Sequence, residues 1–398
     1  MHQPKEIYSK NLFFAFFVCV LALMIFLSPN FYSANTQYNA GTLPNYNSSP
    51  TGQPAASFSA TTTLTEKAET LTKATATVKI ISNSTNNVTS FGSGVAIADE
   101  GYLVTNYHVI CSVSSNPSAY SITLDMTIND TFTEDVPAKL LWHNAGLDVA
   151  ILKSEQTFDV YANMANRWID STNPLKVAEE IWTLGTPYET ELFGTFSKGT
   201  ISSSNPRVGL TQVEASHYVH NYLIQHDAPI SNGSSGGGLF DLNGNLVGLN
   251  TCGKVSSSNK DANGLFFAVP IYPVMLAIDK VISGEKNNTP YTTPLLGVQG
   301  YDKDFEQNFG SNYALEINGM YLTNVTETSD AYLQGLRKDD IIVGVGNYDC
   351  LNKNDSSYFA VDRSYDLSYA LLHYKSGDTV SLFYENENGS HRILVKLG

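Results

Sequence analysis

Lysine and arginine are scarce. The 398-residue chain carries 23 of them against 38 aspartates and glutamates, a formal charge of -15. It therefore presents no basic surface to a phosphate backbone, which excludes nucleic acid as a partner. Cysteine is scarcer still: Cys19, Cys111, Cys252 and Cys350 form no CxxC and no Cys/His spacing of a structural zinc site. No segment repeats at a fixed period, so solenoids and propellers are excluded. Nothing in the pattern calls for a cofactor or a metal. Long apolar runs are absent too, with one exception.

That exception is "LFFAFFVCVLALMIFL", Leu12 to Leu27, which as a helix spans about 24 Å, enough to cross a bilayer once flanking Lys10 extends to the interface. Lys5 and Lys10 precede the run and no basic residue follows until Lys67. The positive-inside rule then predicts a cytoplasmic segment 1–11, a membrane anchor 12–28, and everything beyond it outside the cytoplasm. A cleaved secretory signal is the alternative, but "SPNFYSANTQ" offers no clean small-x-small site.

Residues 29–66 are rich in Asn, Ser, Thr, Pro and Gln without periodicity, the composition of a tether. A short helix near "EKAETLT" then runs into the strand "ATVKIIS". From 67 to 283 the chain shows many short β-type runs, among them "SGVAIA", "YLVTNYHVI", "DVAILK", "EIWTLGT", "LVGLNT" and "LFFAVPI", punctuated by Gly, Asn and Ser. That pattern predicts an antiparallel barrel or sandwich closed by the helix "YPVMLAIDKVISGEK". After a linker at 284–293, residues 294–398 read as a separate small α+β module.

The glycine-serine stretch "NGSSGGGLFDLNG", 232–244, has the composition of a flexible loop, yet a hairpin with an Asn243-Gly244 turn follows it directly and argues against a hinge. A serine that attacks a peptide bond needs a base in hydrogen-bond reach, a carboxylate to orient the base, and donors for the oxyanion. Ser235 is the candidate nucleophile, His108 in "YLVTNYHVI" the base and Asp148 in "GLDVAILK" the acid. The last two are expected at strand edges. The Gly233 and Ser235 amides are the candidate oxyanion donors. The chain order His, Asp, Ser is the chymotrypsin order. A rival metal-hydrolase reading would use His217, His220, His226 and Asp227, but no HExxH helix is present. A second rival is a catalytically silent, membrane-tethered peptide-binding scaffold.

Together with "LGTPYETELFGTFSKGTISS" and "IQHDAPISNGSSGGGLFDLNGNLVGLNT", these blocks resemble the HtrA/Deg family of trypsin-like serine proteases, from about residue 66 to the C-terminus. The segment from "PLLGVQG" through "GMYLTNVTETSDAYLQGLRKDDIIVGVGN" resembles that family's PDZ domain. The resemblance implies a chymotrypsin-like double β-barrel followed by an α+β PDZ domain, and a serine endopeptidase acting on misfolded or regulatory proteins as a homotrimer. It further implies that Gly248, Leu249, Asn250 and Thr251 pair with substrate as an added strand, and that Ile230 and Asn232 wall the primary pocket. Leu295, Leu296, Gly297 and Val298 would receive C-terminal peptides, and Arg207 would relay signals from the PDZ domain. Pro229 stands six residues before Ser235, where an acid would select basic side chains, so small or medium aliphatic residues are expected instead. The chain departs from the family at Ser234, Gly238 and His226, where Asn, Pro and Thr are usual.

Overall fold

In the computed structural model the described residues are 55–168, 172–188, 190–203, 210–214, 217–220, 222–251, 264–302 and 319–398. The expected anchor, most of the expected tether, and Arg207 lie outside them. Order begins before the expected boundary at 67. Ala56 is buried and its N–H donates to Tyr161 O at 2.8 Å, and helix α1 (Leu64–Thr72) starts on a capping box in which Thr63 and Glu66 each accept from the other's N–H.

The strands form two closed six-stranded barrels. The first runs β1 (Thr75–Ser82), β2 (Val88–Ala98) and β3 (Tyr102–Thr105), then helix α2 (Tyr107–Ser115), then β4 (Tyr120–Ile128), β5 (Thr131–Asn144) and β6 (Val149–Ser154), and closes in the order β1-β2-β3-β6-β5-β4. β1 is buried on both faces: Ala76, Val78 and Ile80 are fully buried, and so are Thr75 and Thr77 between them.

The second barrel takes β7 (Glu180–Gly185), β8 (Thr195–Ser203), β11 (Ile224–His226), β12 (Gly238–Asp241), β13 (Leu246–Thr251) and β14 (Phe266–Pro270), with β9 (Leu210–Glu214) and β10 (His217–His220) forming a separate hairpin. Ile181, Ile201, Ile224, Leu239 and Val247 fill its core. Its base is stapled by Arg167, which donates to Asp241 Oδ2 at 3.0 Å and Glu179 Oε1 at 2.6 Å. This is the chymotrypsin-like double barrel that was expected.

Helix α3 (Tyr272–Lys286) closes the protease part, running three residues past the expected boundary at 283. The connection after it is packed: Trp142 donates to Thr293 Oγ1 at 3.0 Å and stacks near Tyr291. The C-terminal module consists of β15 (Val298–Asp302), β16 (Met320–Val325), α4 (Asp330–Leu333), β17 (Ile341–Asn347), β18 (Phe359–Ala360), α5 (Ser364–Leu371), β19 (Thr379–Asn386) and β20 (Gly389–Lys396). Its sheet order is β15-β16-β17-β19-β20, with β18 on β17. Leu322, Ile342, Leu367, Leu371 and Leu382 form its own core. No helix among the described residues is long and apolar enough to cross a membrane.

Candidate active site

His108 lies not at a strand edge but in the first turn of α2, because β3 ends at Thr105 and the chain turns helical at Tyr107. Asp148 immediately precedes β6 at φ 52°, in the left-handed region, at the end of a turn held by Leu147 N–H on Asn144 Oδ1 (3.1 Å) and Asp148 N–H on Ala145 O (3.2 Å). Its buried carboxylate accepts from the His108 N–H at 3.0 Å and lies 3.1 and 3.0 Å from His108 Nδ1. Asn106 Nδ2 donates to Asp148 O at 2.9 Å and fixes the other side of the turn. Desolvation pulls the imidazole pKa down. The charge of Asp148 and its hydrogen bond outweigh that effect, so the net shift is upward. With Nδ1 toward the carboxylate, Nε2 is the nitrogen left for a proton transfer.

Ser235 is carried by the turn between β11 and β12, and Ser93 of the first barrel shapes that turn. Ser93 N–H donates to Ser235 O at 2.7 Å and Ser93 Oγ to Gly233 O at 2.8 Å, while Thr186 N–H donates to Ser93 Oγ at 2.8 Å. Gly233 and Gly236 have φ of 93° and 85°. A Cβ on Gly236 would stand 2.1 Å from Ser93 O and 2.2 Å from Thr105 Oγ1, so both conformation and contact require glycine. Thr105 also closes β3, three residues before His108, so the serine and histidine segments meet at one seam between the barrels. Asn232 O accepts from Tyr188 N–H at 2.6 Å, which turns the N–H of the following trans peptide, that of Gly233, to the opposite side. Ser93, Asn106, Thr186 and Tyr188 escaped the sequence reading.

The expected substrate strand fails in part. Gly248 and Leu249 pair with β12 on one side and β14 on the other, and Asn250 exchanges main-chain bonds with Gly236 and Gly237, both at 2.8 Å. All three are buried and none has a main-chain edge to offer. Thr251 ends β13, and the chain beyond it lies outside the described residues. Of the expected pocket walls, Asn232 is exposed and Ile230 half-buried. In the C-terminal module Leu295 is exposed and pairs with Gly398 through two main-chain bonds, Leu296 is buried, Gly297 has φ 73°, and Val298 opens β15.

His226 is fully buried in the second barrel, its ring near Phe266, and neither ring nitrogen has a hydrogen-bond partner. Burial drives its pKa down to about 4, against the attraction of Asp227 and the nearby carbonyls of Phe267 and Ala228. His217 and His220 lie on β10, a different strand, and among the described residues no three His, Cys, Asp or Glu side chains converge as a metal site. Cys111 and Cys350 are free thiols.

Comparison with known proteins agrees with this geometry. The trypsin-like peptidase domain family matches residues 92–249. The serine protease Do-like HtrA of Lactococcus lactis subsp. lactis is 30% identical over 322 residues, spanning 78% of this chain and 71% of that protein. The chain belongs to the HtrA family of serine proteases. It is a serine endopeptidase. The Bacillus subtilis serine protease Do-like HtrA is 27% identical over 259 residues, 64% of this HtrA chain and 54% of its own. Among solved structures, the HtrA-type protease AlgW with a decapeptide superposes with a TM-score of 0.55 at 19% identity, covering 85% of this HtrA chain and 98% of that one. The serine endoprotease from Yersinia pestis superposes at 0.53 and 21% identity, over 85% and 98%. At such identities these two neighbours speak for the fold.

Proposed function

We propose that this HtrA protease cleaves by a triad of His108, Asp148 and Ser235. The observation that carries the reading is the His108–Asp148 pair at 3.0 Å, set on the same seam to which Ser93 ties the serine turn. Ser235 Oγ attacks the scissile carbonyl as His108 Nε2 takes its proton. Asp148 stabilises the imidazolium, and the Gly233 and Ser235 amides receive the oxyanion. The proton then passes from His108 to the leaving amine, and water hydrolyses the acyl-enzyme by the same route in reverse. Of the expected substrate strand Thr251 keeps the pairing role, and the pocket near Ile230 and Asn232 takes small or medium aliphatic side chains.

The C-terminal module acts as a PDZ domain that takes C-terminal peptides by β-addition at the β15 edge, with Leu295 to Val298 around the carboxylate. The physiological unit is a homotrimer held to the membrane by residues 12–28, with the protease outside the cytoplasm, where it degrades misfolded or regulatory proteins. A relative from Rickettsia prowazekii, 31% identical over 260 residues and matched over 45% of its length, is described as a periplasmic serine endoprotease, which supports that placement. Labelling with a fluorophosphonate probe followed by peptide mapping tests the core of the reading: the adduct belongs on Ser235, and an adduct elsewhere, or none, refutes it.

A further inference from the structure

Helix α5 of the C-terminal module has two working faces. Leu367, Ala370 and Leu371 enter the module's own core. Tyr365, Ser368 and Tyr369 repeat at the spacing of a single helical stripe and each meets the protease, as does the main-chain carbonyl of Leu372 just past the helix. Tyr365 stands edge-on to Tyr222, centroids 5.1 Å apart. Tyr369 packs on Tyr272 at 5.8 Å, and Leu372 O accepts from Lys280 Nζ. Beside the stripe, Tyr222 O–H donates to Asp366 Oδ2 at 3.4 Å.

Ser368 makes the contact nearest the chemistry. A Cβ on Gly146 would lie 2.6 Å from Ser368 Oγ, and Gly146 is the middle of the turn that ends in Asp148. The same helix therefore touches the acid turn and, through Tyr222, the chain that enters β11 and leads to the serine turn. Asp148 takes a left-handed conformation, one that aspartate tolerates at turns, and its surroundings include Asn106 and Asn144. The Ser368 contact is part of those surroundings.

We propose that α5 braces the Asp148 turn, Ser368 being a positioning residue for the carboxylate. This rests on the triad reading. It predicts a kinetic signature of its own. When the turn shifts, Asp148 loses its grip on His108, the imidazole becomes easier to deprotonate, and the acid limb of the rate profile moves to lower pH while kcat falls.

The test uses the full chain and a short chromogenic peptide, whose KM reports cleft binding separately from kcat. Gly146→Val drives a branched side chain into Ser368. A loss of about ten- to a hundredfold in kcat is expected, with KM little changed and the acid limb displaced downward. Adding Ser368→Gly makes room and returns most of the lost kcat and the original limb. Wild-type kcat in Gly146→Val, or a defect equally deep in the double variant, overturns the brace. Should Gly146→Val fail to melt cooperatively, Tyr365→Ala decides, since it loosens the same helix face without touching the turn. It must lower kcat with the same pH displacement, and an unchanged profile overturns the proposal. Ser235→Ala runs in parallel. If it keeps turnover the triad reading itself falls, whereas an inactive Ser235→Ala beside a normal Gly146→Val removes the brace alone.

Discussion

Acid should unfold this protease through a residue that takes no part in catalysis. His226 has a pKa of about 4 in the folded barrel against an ordinary 6.5, so between those values the unfolded chain binds a proton that the folded chain refuses. Stability from this residue is complete above 6.5 and is lost as pH falls toward 4. At pH 4.5 the loss is about 2.5 kcal/mol, a large share of a domain's stability. His226→Phe keeps a ring against Phe266 and removes the titration. In a Ser235→Ala background that prevents self-cleavage, urea unfolding can be followed by tryptophan fluorescence, Trp182 being buried in the same barrel. The variant should gain on the parent by about 2.5 kcal/mol between pH 7.5 and 4.5. A difference that stays constant over that range would show that His226 either finds a partner or is already protonated, and would refute the reasoning.

Other expectations concern the site and its supports. Ser235→Ala and His108→Ala should each cost about 10⁴-fold or more in kcat, and Asp148→Asn a comparable amount through the wrong imidazole tautomer, measured on casein or a peptide. Because the His108 pKa lies above 6.5 and the base must be neutral, kcat/KM should rise with pH through a limb above that value. Gly236→Ala should abolish probe labelling, since its methyl would enter Ser93 O and Thr105 Oγ1. Arg167→Ala leaves the buried Asp241 carboxylate without its cation and should lower stability by about 3 kcal/mol, read from urea melts.

Short β-type runs bounded by Gly, Asn and Ser made the barrels legible: "ATVKIIS", "DVAILK" and "LVGLNT" all became strands. The same signal misled at "NYHVI", where β-branched residues mimic a strand although the chain has already turned helical under Asp148's acceptance of the His108 N–H. Residues 55–66 have few aliphatics and read as tether, yet Phe58 covers the Asn243-Gly244 turn closely enough that a Cβ on Gly244 would stand 2.6 Å from its ring. Strand identity in β13 was legible and its neighbours were not, because a continuous apolar run does not reveal which edges are taken. Docking of α5 was hidden for a similar reason. A helix apolar on two faces advertises burial without naming what covers the second.

Ser93 lends its amide and hydroxyl to a loop encoded some 140 positions later. With Ser235 as the proposed nucleophile, a chain emerging from synthesis carries an unfinished cutting centre until the later barrel has closed against the earlier one. Assembly order works as a safety catch: the polypeptide acquires the power to hydrolyse its neighbours only once it has ceased to be an unfolded neighbour itself.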